Sequence, residues 1–94
     1  IFSVSGESSE LNSILRYAKR FNLKVIGVSC KPSSMLLKHS TIKILLPKVN
    51  EAGFSLAPTA STTMFCCFGD ALGIALMKRN KFTNKKFING YFGL

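Results

Sequence analysis

Apolar residues at Leu11, Ile14, Leu15 and Ala18 follow the i, i+3, i+4, i+7 stripe of an amphipathic helix, with Arg16, Lys19 and Arg20 on the other face. That helix is predicted to begin near Ser8 or Ser9 and to stop by Asn22. Residues 23–29, LKVIGVS, are short and β-branched and read as a buried strand. Pro32 breaks the pattern, and Ser33 or Ser34 can cap a brief helical stretch to Lys38. Residues 41–47, TIKILLP, read as a second strand closed by Pro47. After a loop, STTMFCCFGDALGIALMKRN runs for about five turns, apolar nearly all round, and is expected to be buried by neighbours on several sides. Thr83 is placed to cap one more short helix. The opening IFSVSGESSEL reads as the end of a strand tipping into a hydroxyl-rich turn. Strands alternating with helices in this order predict an open α/β sheet with parallel strands and right-handed crossovers. No internal repeat or low-complexity linker divides the 94 residues, so one domain at most is expected.

Composition sharpens this picture. An apolar share of 47% against 18% charged residues is high for so short a chain, and points to a core meant for more neighbours than 94 residues supply. No uninterrupted apolar run approaches the roughly 18–20 residues of a membrane-spanning helix, so no membrane partner is expected. The N-terminal stretch lacks the basic, apolar and small-residue order of a signal peptide. Cys30, Cys66 and Cys67 are odd in number, two are adjacent, and no C-x-x-C spacing occurs. That argues against a disulfide framework or a zinc site, fits a reducing cytoplasm, and leaves the thiols as buried small apolar groups. Net charge is +9, from 13 Lys and Arg against 4 Asp and Glu. The lysines are scattered apart from KRNKFTNKK at 78–86, so they read mainly as solvated surface. Nucleic-acid binding would need that cluster to form a patch with exposed aromatics, and is not expected.

The opening turn carries candidate chemistry. In an open α/β sheet the ligand sits beyond the carboxyl ends of the strands, and Ser3-Val4-Ser5-Gly6-Glu7-Ser8 is such an end, followed at once by a helix. Free N–H groups at a helix N-terminus favour an anion. Ser3, Ser5 and Ser8 add hydroxyl donors, and Gly6 permits close approach or a positive φ. Neither a Walker A lysine nor G-x-G-x-x-G is present, so a neutral, hydroxyl-lined cradle for a small phosphorylated metabolite is expected, beside the plainer reading of the serines as helix caps. A second hydroxyl cluster, Thr59, Ser61, Thr62 and Thr63, opens the long helix. The four acids are Glu7, Glu10, Glu51 and Asp70. Glu7 and Glu10 flank the turn and Glu51 precedes the hydroxyl cluster. A carboxylate near a sugar carbonyl can move a proton between adjacent carbons, although Glu7 or Glu10 can equally complement the helix dipole. Asp70, on an apolar helix, reads as a partner for a buried donor, and His39 as a surface or semi-buried residue.

With SVSGESSEL, EAGFSLAPTASTT, FGDALGIAL and KFTNKKF in that order, the chain resembles the sugar isomerase (SIS) domain, and within it the arabinose 5-phosphate isomerases. The resemblance spans essentially the whole chain. It implies the C-terminal part of a single SIS domain over residues 1–94, an incomplete three-layer α-β-α sandwich on a parallel sheet. It further implies aldose–ketose isomerisation of a phosphorylated sugar in the cytoplasm, without metal or cofactor, in the pathway to Kdo and lipopolysaccharide. Ser3, Ser5, Gly6 and Ser8 then match the phosphate cradle, Glu10 and Glu51 the acidic catalytic residues, and Thr59, Ser61, Thr62 and Thr63 the opposite wall of the pocket. The chain departs from the family at Val4, usually polar, and at Tyr91, where a His-Pro-Gly-Gly run would place a histidine. The first strands of the domain, with a lysine and another histidine, are not in these 94 residues. The chain alone is therefore expected to be inactive, paired with a separately encoded first half or a second copy. A sugar-phosphate-binding module without catalysis, or a decayed fragment, is the alternative.

Overall fold

A computed structural model describes residues 1–54 and 56–81. Thr83, Tyr91 and the Lys85–Lys86 end of the basic cluster lie outside the described residues. The elements are α1 (Leu11–Arg20), β1 (Ile26–Ser29), α2 (Met35–Lys38), β2 (Ile42–Leu45) and α3 (Ala60–Arg79). Two compact units divide the chain, Ile1–Ser61 and Thr62–Leu94.

In the first unit β1 and β2 pair in parallel, with Ile26 opposite Ile42 and Ser29 opposite Leu45. The opening segment joins them as a single parallel bridge from Phe2 to Val28. Ser3 N–H donates to Val28 O, Val28 N–H to Ile1 O, and Cys30 N–H to Val4 O. The class is thus α/β with a small parallel sheet. Leu11 and Leu15 of α1 and Leu36 of α2 form the buried core, with Ile1, Val25 and Met35 packed against it. Ile14, on the predicted stripe, is instead 48% exposed. Gly27 is required where it stands, because a Cβ there would collide with Ser40 Oγ, which donates to Leu36 O.

The ends of the elements have local causes. α1 closes on a Schellman motif: Leu23 N–H donates to Ala18 O, Asn22 N–H donates to Lys19 O, and Asn22 takes a φ of 54°. Leu23 is thereby used up in the helix stop, and β1 begins only at Ile26. Ser34 caps α2 as expected, its Oγ accepting from Leu37 N–H at 3.3 Å.

α3 departs from expectation. Its only buried residue among those described is Ser61, and Ile74 and Leu76 are about half exposed. Asp70, expected to serve a buried donor, is exposed, and so are Cys66 and Cys67, expected to be buried. α3 nevertheless holds an 18-residue stretch of mean hydropathy 1.4 and is long and apolar enough, by length and composition only, to cross a membrane. A core helix of a soluble domain meets the same test.

Candidate functional site

Residues 3–8 leave the carboxyl end of the sheet and turn into α1. Gly6 makes the turn possible: its φ is +66°, and a Cβ would collide with Ser34 Cβ. Ser3 Oγ accepts from Gly6 N–H at 3.1 Å, and Ser5 Oγ accepts from Glu7 N–H at 3.2 Å. The turn is tied to α2 by Leu36 N–H donating to Gly6 O, and by Met35 N–H donating to Glu7 Oε1 at 2.7 Å. Glu7 also pairs with Lys31 at 3.8 Å. The serine oxygens of the turn therefore act as acceptors within it, which leaves their hydroxyl hydrogens to donate outward.

The start of α1 is left open. Glu10, its N-cap residue, makes no side-chain cap bond, and the first turn holds no acid. The carbonyls of Ser8 and Ser9 accept from Leu11 and Asn12, but the N–H groups of Ser8, Ser9 and Glu10 meet no protein acceptor among the described residues. Amides without a protein acceptor at the positive end of a ten-residue helix favour an anion.

Beside the turn lies a cavity of about 450 Å³ lined by Val4, Ser5, Cys30, Lys31, Pro32 and Lys48. The cradle is thus not neutral: two lysines flank it. Their signal in the sequence was position, since each follows a strand end by two or three residues, where an α/β sheet gathers its ligand groups.

Glu51 lies in a second cluster. Its Oε1 accepts from Ser61 N–H at 2.8 Å and from Thr59 N–H at 3.4 Å, and its Oε2 accepts from the Ser61 hydroxyl. Thr59 Oγ1 accepts from Ala52 N–H at 2.8 Å, closing the loop on itself. The Ser61 hydroxyl, and then its N–H, hold the Glu51 carboxyl below the ordinary glutamate range. Burial, and next the charge of Glu51, push the Cys30 thiol up. Glu51 therefore acts electrostatically on a residue that lines the cavity with Ser5.

The structure brings Ser3, Ser5 and Gly6 together in one turn, and Glu51, Thr59 and Ser61 together in one loop. Glu10 is exposed and makes no contact with Glu51 among the described residues. Thr62 and Thr63 lie exposed in the first turn of α3.

The SIS domain family matches residues 1–75. Arabinose 5-phosphate isomerase KdsD of Francisella tularensis subsp. tularensis (strain SCHU S4) is 40% identical over 86 residues, which are 90% of this chain and 26% of that protein. The protein of the same name from Escherichia coli strain K12 is 36% identical over 86 residues, with the same coverage. A solved E. coli CFT073 structure in complex with arabinose 5-phosphate superimposes with a TM-score of 0.84 at 30% identity, covering 99% of this chain and 49% of that one. The chain spans about a quarter of the curated relatives' length, 26%, and about half, 49%, of the solved one.

Proposed function

The chain belongs to the SIS domain family, and on that premise we propose that it is the sugar-phosphate-binding C-terminal part of an arabinose 5-phosphate isomerase-like protein. The observation that carries this reading is the open N-terminus of α1, where the Ser8, Ser9 and Glu10 amides meet no protein acceptor among the described residues, following a turn that holds Ser3 and Ser5, with Ser5 lining a cavity together with Lys31 and Lys48. A phosphate anchors there on donors alone. The complex of the E. coli CFT073 relative with arabinose 5-phosphate supports a five-carbon sugar phosphate as the ligand.

In a complete isomerase site Glu10 or Glu51 would carry a proton between C1 and C2 through an enediol. General base catalysis of this kind contributes about 10²–10⁴-fold, and positioned partners supply the rest. The proton moves between carbons of one substrate, so the step needs no redox cofactor. In this chain Glu51 is held ionised at the start of α3, which makes it a weak base and favours binding over turnover by these residues alone. A separately encoded first half or a second copy would complete the site. The family match runs through most of α3, which supports reading that helix as domain core rather than membrane span. The setting proposed is cytoplasmic, in the supply of arabinose 5-phosphate to Kdo and lipopolysaccharide.

Calorimetric titration of the chain with arabinose 5-phosphate, arabinose and inorganic phosphate tests this. The phosphorylated sugar should bind and plain arabinose should not. Lys48→Ala should weaken binding about tenfold, roughly 1.4 kcal/mol. Equal heats for arabinose with and without its phosphate would overturn the reading.

A further inference from the structure

At the opposite end of the strands from the serine turn, the first unit holds a cavity of about 480 Å³. Its place is set by Val25 and Thr41, the residues just before β1 and β2. They are clipped together by Val25 N–H donating to Thr41 Oγ1 and by Thr41 N–H donating to Val25 O. The floor is apolar: Leu15 and Ala18 of α1 are 9% and 6% exposed, and Leu23, Val25 and Met35 continue it. The rim is basic. Arg16 and Lys19, three apart on one face of α1, stand on one side and His39 on the other. His39 Nδ1–H donates to Met35 O at 2.9 Å, which fixes the ring at the rim and leaves Nε2 for another partner.

No acid answers these cations. None of the chain's four carboxylates lines the cavity, Glu7 is paired with Lys31 and Glu51 with Ser61, and neither Arg16 nor Lys19 forms an ion pair among the described residues. An apolar floor of this volume under uncompensated positive charge complements one kind of small molecule, with an anionic head and a hydrocarbon body. Nucleic acid fits poorly, because the lining holds no Phe, Tyr or Trp and its one aromatic ring, His39, is tied by Nδ1 to Met35 O, so no platform for successive bases is present.

We propose that this cavity is a second binding site, separate from the serine turn, for an amphipathic organic anion whose phosphate or carboxylate meets Arg16 and Lys19 while its apolar body lies on Leu15, Ala18, Val25 and Met35. The site shares no residue with the sugar-phosphate cradle, so either reading stands if the other fails.

Amide NMR spectra of the 94-residue chain, titrated separately with hexyl phosphate, inorganic phosphate and 1-hexanol, test it. Hexyl phosphate should give saturable shifts at the amides of Leu15, Lys19, His39 and Thr41. Inorganic phosphate and hexanol, each lacking half of the complement, should move the same amides at least tenfold more weakly. Arg16→Gln/Lys19→Gln, two exposed positions where the dispersed spectrum reports an intact fold, should weaken hexyl phosphate at least tenfold. The proposal is overturned if hexyl phosphate moves only amides of residues 3–10, if hexanol binds as well as hexyl phosphate, or if the double variant binds undiminished.

Discussion

Ser61 turns both its hydroxyl and its N–H onto Glu51, and this one residue decides the chemistry of the second cluster. Each donor favours the charged carboxylate, so the folded-state pKa lies below that of the unfolded chain. A depressed carboxyl contributes stability that is present above the unfolded value, about 4.3, and is lost as pH falls through the folded value. Ser61→Ala should therefore raise the Glu51 pKa toward its ordinary range, seen in a carboxyl-detected NMR titration, and flatten the pH dependence of stability below about pH 4.3. An unchanged Glu51 titration in Ser61→Ala would show that the hydroxyl does not govern it. The same bonds carry a functional consequence: a carboxylate held this firmly in its ionised form accepts a proton from carbon reluctantly.

Among the elements, α1 shows how local rules set the frame of the site. Its Schellman stop places a non-glycine residue, Asn22, at φ 54°. Asn22→Gly removes the left-handed strain while keeping both closing bonds, and should stabilise the fold by about 0.5 kcal/mol, read as a higher urea midpoint at constant slope. A lower midpoint would mean that the Asn22 side chain contributes a bond worth more than the strain. The stripe of Leu11, Leu15 and Ala18 was legible in the sequence because helical period and burial coincide there, and the serine turn was legible from residue type alone. Lys31 and Lys48 offered only their position just past the strand ends: they are 17 positions apart (48 − 31) and meet beside Ser5 because β1 and β2 run parallel in register. The grip of Ser61 on Glu51 was hidden for a related reason, since an acid ten residues before a hydroxyl has no local periodicity to reveal the pair. α3 has no polar face, so its sequence announces burial without naming the partner, and among its described residues only Ser61 is buried.

At the scale of the whole molecule, the chain carries +9 charges and an SIS family match, over about half the length, 49%, of a solved relative. Large apolar side chains stay exposed on the strands, Ile42 at 50% and Leu45 at 53%. Parallel strands normally lie covered on both faces. Stability will therefore be modest, and a ligand bound only by the folded state should add to it visibly. Under the proposed function this chain folds by itself and grips a sugar phosphate through the serine turn. The most direct test is a thermal melt of the 94-residue chain with and without arabinose 5-phosphate, repeated in Ser5→Ala. At about 100 times its dissociation constant the ligand should stabilise the fold by roughly 2.7 kcal/mol. The melt should be cooperative, raised by the sugar phosphate in the natural chain and much less in Ser5→Ala. A cooperative melt that the ligand leaves unmoved, or one moved equally in both proteins, would contradict it.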